Sequence, residues 1–330
     1  MTTSNLVGAE QKVQAKTAIV LVNLGTPDAP EEASIRRYLK QFLSDPRVVN
    51  LPRWLWLPIL NLIILRVRPP KLVAKYKLVW GKKDGPIRNF TNALAKRVSA
   101  LIPEVPVVTA MTYGNPSMSD ALNQVAEAER VIVLPLFPQY AGATTGAVQD
   151  ALEQAVANST CRYVMDFVDE YHSHPAYIDA LAVSIKKSKA YRDGTPRLVF
   201  SFHGIPKAQA DSGDPYPLQC QITASLVAER LNLTKDRWML TFQSRFGPAE
   251  WLTPYTDITM ESLPDQGIHN VLLVCPGFSV DCLETIEEIK ILNKDIFLAA
   301  GGKRFSYVKA LNASWDHANV IVDIINKYLK

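Results

Sequence analysis

Seven short runs of Val, Ile and Leu, apolar on consecutive residues, constrain this chain most strongly. A strand with one wet face alternates apolar and polar residues, whereas a strand apolar on both faces must be covered on both. The runs fall in two series, at 17–23, 106–111, 130–136 and 162–167, then at 197–202, 237–242 and 270–275. Helical patterns separate them, at 31–42, 118–129, 145–157, 176–189, 218–231, 283–295 and 314–329. Buried strands alternating with helices predict a doubly wound α/β fold with parallel sheets. Ligand sites in such folds lie beyond the carboxyl ends of the strands.

The two series echo one another. The first strand of one reads Val20-Leu-Val-Asn-Leu24-Gly25-Thr-Pro27, and that of the other reads Val199-Phe-Ser-Phe-His203-Gly204-Ile-Pro206. Aligned on Gly-x-Pro, Leu24 corresponds to His203. A second echo pairs 131–137 (VIVLPLF) with 271–278 (VLLVCPGF), with a one-residue offset after the proline. The expectation is two similar Rossmann-like halves, 17–172 and 173–330, facing each other across a cleft. One wall is inert at Leu24 and the other chemically active at His203. The last helix, 314–330, is expected to pack back on the first half, and 1–16 reads as a poorly ordered tail.

Composition narrows the function classes. With 48% apolar and 21% charged residues over 330 positions, the chain is neither a disordered tail protein, a coiled coil nor a disulfide scaffold. A net charge of +4 is too mild to argue for nucleic acid. The longest apolar run, 54–65, is too short for a membrane span of ~20 residues, which excludes a multispanning membrane protein. The N-terminal stretch is polar and has no apolar core of a signal peptide. Cys161, Cys220, Cys275 and Cys282 fall singly, with no CxxC pair. Reduced thiols in a cytoplasm are therefore expected, without a zinc knuckle. No cysteine follows Cys282, so no Cys-rich tail is present to hold an iron–sulfur cluster, and none is expected.

His203 follows a buried strand, where an imidazole meets a sheet edge; a structural histidine bonded to a backbone carbonyl is the competing reading. Asp281-Cys-Leu-Glu284-Thr-Ile-Glu287-Glu288 follows the Pro276-Gly277 turn. Asp281 with Glu284 three residues on fits a capping box, which accounts for both acids but not for Glu288. Glu284 and Glu288 share a helix face at i, i+4, where like charges repel and a passing cation such as Fe2+ would relieve them. A solvated acidic face would look the same. Gly25-Thr-Pro and the 142–146 loop lack both a dinucleotide fingerprint and a Walker lysine. The stretch 54–65 is apolar around its whole circumference and is followed by Arg66, Arg68 and Lys71. It suits a buried helix, an interfacial membrane contact, or a lip for a large flat greasy ligand carrying acidic groups.

The run 198–216, Leu-Val-Phe-Ser-Phe-His-Gly-Ile-Pro-Lys-Ala-Gln-Ala-Asp-Ser-Gly-Asp-Pro-Tyr, closely resembles the ferrochelatase signature. Three further stretches are similar to the same family: 22–27 (VNLGTP), 242–252 (FQSRFGPAEWL) and 275–284 (CPGFSVDCLE). The resemblance runs from about Ala18 to the C-terminal helix and implies a two-lobed chelatase-like fold. It implies insertion of Fe2+ into protoporphyrin IX to give protohaem, with release of two protons. Carried over by motif, His203 and Glu284 match the paired active-site residues usually described as Fe2+ ligands. Leu24, Tyr113, Trp251, Phe278 and Asp281 match residues around the porphyrin. Arg68, Lys71 and Tyr76 match positions near its propionates, within an active-site lip at 51–71 and just beyond it. Glu288 matches an acidic position on an inner metal path. Cys282 stands where many relatives have His, Phe137 where some have Tyr, Thr112 where some have Arg, and Leu292 where some have a further acid.

The resemblance implies Fe2+ and porphyrin as substrates with no tightly bound cofactor. The singly placed cysteines and the polar N-terminal stretch lead to the expectation of a cytoplasmic protein, and the apolar lip with its basic cluster to that of peripheral contact with the inner face of the membrane. A chelatase for coproporphyrin or sirohydrochlorin, or a non-catalytic haem carrier, shares parts of the pattern. The many carboxylates of the first two would favour a strongly basic cleft, and a carrier needs no acid row beside a base. The sequence sets no oligomeric state.

Overall fold

The computed structural model describes residues 16–82, 84–160 and 162–329. The tail expected over 1–16 lies outside the described residues except for Lys16, and so does Cys161. Two four-stranded parallel sheets are present. The first contains β1 (Thr17–Gly25), β2 (Val107–Tyr113), β3 (Arg130–Pro135) and β4 (Val164–Phe167), in the order β2-β1-β3-β4. The second contains β5 (Arg197–His203), β6 (Trp238–Gln243), β7 (Asn270–Val274) and β8 (Arg304–Val308), in the order β6-β5-β7-β8. The two orders are one topology used twice. Each half is α/β with two interior strands, β1 and β3 in one sheet and β5 and β7 in the other, and these four are buried along more of their length than the edge strands.

Strand β8 was not expected. It is an edge strand, Arg-Phe-Ser-Tyr-Val, and only Val308 is buried, so it lacks the doubly apolar pattern. The helices Leu65–Val79 and Pro86–Leu101 were also not expected. The helix begun at Met118 stops at Gln124 rather than at 129; Ser117 and Asp120 form a full capping box at its start.

One core joins the halves. Ile19, Leu21 and Ile132 of the first sheet belong to the same buried cluster as Leu198, Phe200 and Leu272 of the second. The helix Trp315–Leu329 packs on Pro86–Leu101 and on Pro175–Lys187, carrying Ile321 and Ile325 into that cluster. Each such side chain, once fully buried, contributes about 1.5–3 kcal/mol. A polar clamp crosses the same boundary. Asp214, from the Ser-Gly-Asp-Pro-Tyr run, accepts the Gly142 N–H at 2.8 Å, Gln209 Nε2 at 2.8 Å and the Tyr216 N–H at 3.0 Å. The 142–146 loop is thus bound to the other half through its first amide.

The segment after helix Glu32–Ser44 forms the lip. It runs as α-helix Arg53–Ile59, a π-helical turn Leu60–Ile64 and α-helix Leu65–Val79. Trp56, Leu60 and Leu65 are buried against Ile35, Leu39 and Leu43, while Trp54, Leu55, Leu62 and Ile63 are exposed. The circumference that looked uniformly apolar is therefore divided between core and solvent. Pro69 and Pro70 supply no amide hydrogen, so the Leu65 carbonyl lacks its helical donor. Arg36 Nε fills that place at 2.9 Å.

Candidate active site

Strand β5 delivers His203 to the carboxyl end of its sheet, next to Gly204. A Cβ on Gly204 would lie 3.1 Å from the Gln243 carbonyl oxygen and 3.2 Å from the Trp251 ring, so a side chain there would press on both by a few tenths of an ångström. His203 Nδ1 lies 2.6 Å from the Gly204 carbonyl oxygen. A carbonyl only accepts, so Nδ1 carries the proton and Nε2 keeps its lone pair for a proton or a metal. The carbonyl contact that favoured a structural histidine is thus present, and it is also what orients the other nitrogen. Trp251 and Phe278 flank the imidazole, with ring centroids 6.5 and 6.3 Å away.

The first half has Leu24 at the matching place at the end of β1. Gly25 follows it at φ +116°, where a Cβ would lie 1.7 Å from the Tyr113 carbonyl oxygen. Leu24 and, from the second half, Leu283 both pack against the buried cluster that contains Tyr38, Tyr76 and Tyr113. Tyr113 donates its hydroxyl to Asp45 at 2.7 Å, and Tyr76 is edge-on to Trp80. Burial pushes the hydroxyls of Tyr38, Tyr76 and Tyr113 well above the usual phenol range, so all three stay neutral. Tyr38, which carries no motif signal because its helix reads as an ordinary amphipathic one, lies within electrostatic reach of Glu284 and Tyr76.

Glu284 opens a ten-residue π-helix, Glu284–Asn293. Such i→i+5 winding is rare over more than a turn and clusters at functional sites. The expected capping box does not form. The Asp281 amide donates to Asn312 Oδ1 at 2.7 Å, and the Cys282 amide donates to Thr285 Oγ1 at 2.9 Å. Tertiary and local hydroxyl acceptors have taken the role that sequence spacing assigns to Glu284. Its carboxylate is left within electrostatic reach of Tyr38, Tyr76 and Arg68, with the Cys282 thiol in hydrogen-bonding reach. Burial, and then Glu284, pushes that thiol well above the ordinary cysteine range.

Glu288 lies one turn further in. Its two carboxylate oxygens accept the Ser244 N–H at 2.8 Å and the Ser244 hydroxyl at 2.5 Å. Burial raises its pKa above the ordinary carboxylate value; the Ser244 bonds oppose the rise, as does His203 whenever it is protonated, and Glu284 adds to it. Glu288 therefore sits within electrostatic reach of both His203 and Glu284. Glu287 points elsewhere, to Lys75 of the lip helix at 2.7 Å. Among the described residues no three His, Cys, Asp or Glu side chains stand close enough to hold one metal ion together.

Asp281 is buried, and donors occupy both its oxygens: Tyr307 at 2.6 Å and Thr285 at 3.0 Å on one, Asn312 at 2.7 Å on the other. It fastens the start of the π-helix to β8 and to the segment that follows it. Arg68 is half-buried with its guanidinium 4.3 Å above the Phe246 ring, bridging the lip to the loop before Trp251; burial lowers its pKa. Trp251 Nε1 donates to the Phe246 carbonyl at 2.9 Å. Lys71 is exposed, and no described contact ties it to the other residues. The first half thus supplies Leu24, Arg68, Tyr76 and Tyr113 and the second supplies His203, Trp251, Phe278, Glu284 and Glu288, joined through the Arg68–Phe246 contact and the electrostatic reach of Glu284 to Tyr76. Asp281 stands behind them and Lys71 outside.

The fold is similar to that of the solved structure described as "SirB from Bacillus subtilis with Fe3+". It covers 94% of this chain and 95% of its own at a TM-score of 0.59, with 12% sequence identity. The architecture is thus the chelatase-like fold. The family model described as Ferrochelatase matches residues 16–329. The chain is 48% identical over 318 residues to the ferrochelatase of Methylococcus capsulatus, covering 96% of this chain and 97% of that protein. It is 46% identical over 332 residues to that of Hydrogenovibrio crunogenus, covering 97% and 88%. The chain belongs to the ferrochelatase family, and with it to the metal chelatases of haem biosynthesis, enzymes of the lyase class.

Proposed function

We propose that this ferrochelatase inserts Fe2+ into protoporphyrin IX between His203 and Leu24, with Glu284 and Glu288 handling the metal. Free porphyrin carries two pyrrole N–H protons; Fe2+ enters as they leave, so the charge of the metal is balanced by two protons released. His203 Nε2 is the acceptor for a pyrrole proton or the ligand that presents Fe2+. The observation that carries this reading is the Nδ1 contact to Gly204, which fixes the tautomer and aims the free lone pair away from the backbone. Glu284, without a capping partner, is available to the metal. Glu288, held by Ser244, extends the acidic row inward.

Leu24, Tyr113, Trp251 and Phe278 form apolar and aromatic walls that grip a flat macrocycle and hold it bent, so that its lone pairs turn toward the metal. Arg68 and Tyr76, with Lys71 at the rim, answer the propionates by charge-assisted bonds. Asp281 acts through the π-helix it fastens. The exposed lip residues dock reversibly on the inner face of the membrane, where protoporphyrin partitions, and the protein works from the cytoplasm.

The test is an anaerobic insertion assay with Fe2+ and protoporphyrin IX, comparing wild type with His203→Ala. Loss of a general base costs about 10²–10⁴-fold, and loss of a ligand adds to it. A variant that keeps more than about a tenth of the rate would refute both roles for His203.

A further inference from the structure

We propose that the lip carries a built site for the phosphate headgroup of anionic lipids, lined by Arg36, Arg37, Lys40, Asn61, Leu65 and Arg66. The inference rests on the reading of the lip as a membrane-docking edge and says which lipid it selects. These residues enclose an open groove of about 490 Å3 between helix Glu32–Ser44 and the π-helical turn of the lip. Four of the six are cations.

The groove has a local cause. Pro69 and Pro70 leave the Leu65 carbonyl without a helical donor, and Arg36 crosses to fill it, which fixes one wall. Arg36 is also paired with Glu32, and Arg37 donates to Ser34 at 2.9 Å and lies 3.9 Å from Asp28. Lys40 and Arg66 have no acidic partner among the described residues. Their like charges repel Arg36 and Arg37 across the groove until an anion enters.

The groove shares an edge with the apolar surface. Asn61 and Arg66 line it, while their neighbours Leu62, Ile63 and Val67 are 59%, 54% and 50% exposed, and Trp54 is 79% exposed. Apolar residues that enter the acyl boundary would thus bring the cations to headgroup depth. The charge distribution points to the same partner. Positions 51–80 hold six basic residues and no acidic one, while the whole chain is only +4, so everything outside the lip is net −2. A zwitterionic surface gives such a segregated field nothing to answer; an anionic one does.

The full-length chain is sedimented with vesicles of phosphatidylcholine alone and of phosphatidylcholine mixed with phosphatidylglycerol. Wild type should prefer the anionic vesicles. Lys40→Ala/Arg66→Ala should lose about 30-fold of that preference, at roughly a kilocalorie per cation near a charged surface, and bind phosphatidylcholine as wild type does. Its melting temperature and its turnover in detergent should not change, because both side chains are exposed and outside the porphyrin site. Leu62→Ser/Ile63→Ser should weaken binding to both vesicles. A double-alanine variant that keeps the full preference, or a wild type with none, overturns the site while leaving the lip reading intact. No binding to either vesicle overturns both. Inorganic phosphate at matched ionic strength should not release the bound protein; release beyond that caused by chloride would assign the groove to a soluble anion instead.

Discussion

Ser244 holds Glu288 by both oxygens, giving its backbone N–H at 2.8 Å and its hydroxyl at 2.5 Å from a left-handed backbone at φ +66°. A non-glycine residue in that region is uncommon, and here it aims two donors at one carboxylate. The bonds favour the ionised form against the effect of burial. Ser244→Ala removes one donor, so the Glu288 pKa should rise further. The apparent Fe2+ requirement should then begin to climb at a higher pH than in wild type as the solution is acidified. Fe2+ titrations of initial rate across pH would show this; superimposable profiles would make Ser244 a loop anchor only.

Glu284→Gln separates chemistry from architecture. Since the amides of Asp281 and Cys282 are satisfied by Asn312 and Thr285, Glu284 caps nothing. The variant should melt within the range of an ordinary surface change, well short of the ~1 kcal/mol loss of a capping residue. Its turnover should collapse while porphyrin binding, followed by fluorescence quenching, persists. Full turnover with lowered stability would reverse the assignment.

Asp281→Ala should behave in the opposite way. It strips acceptors from Tyr307 and Asn312 in a buried site, and each stranded donor costs about 1–3 kcal/mol. Urea unfolding should show a midpoint lowered by the equivalent of several kilocalories per mole, with turnover lost through the displaced π-helix. An unchanged midpoint with weakened porphyrin affinity would mean that Asp281 contacts the substrate directly.

His317 makes the same region acid-sensitive. It is fully buried, bonds the Asn312 carbonyl at 2.5 Å through Nδ1, and has its pKa lowered by burial from 6.5 to about 4. The unfolded chain therefore takes up the proton first. Stability is fully kept above pH 6.5 and falls as pH drops toward 4, by about 3 kcal/mol in all. Denaturant unfolding at a series of pH values should show that slope, and His317→Gln should remove this share of it. A slope unaltered in the variant would place the acid sensitivity elsewhere.

The layout of the fold was legible because its signal is local. Doubly apolar runs announce covered strands, and the Gly-x-Pro echo announced that Leu24 and His203 would occupy matching strand ends. Strand β8 escaped because an edge strand need not be apolar on both faces. The exposure of Trp54, Leu62 and Ile63 could not be read from a segment apolar all round, since a helix that could be buried on any face becomes half-buried only when a partner covers one.

The residues of the site were legible as types, and their roles were not. Asp281 and Glu284 sit at capping-box spacing, yet that box is absent because Asn312, Tyr307 and Thr285 offer better-placed partners, two of them from more than twenty residues away. Spacing records what a side chain can reach along its own helix; burial and distant donors decide which of those bonds is made. The sequence thus determined two repeated α/β halves and the matching strand-end places of Leu24 and His203. Tertiary structure decided that Asp281 is a fastening, that Glu284 is left without a capping role, that Glu288 is held by Ser244, and that Glu287 is tied to Lys75.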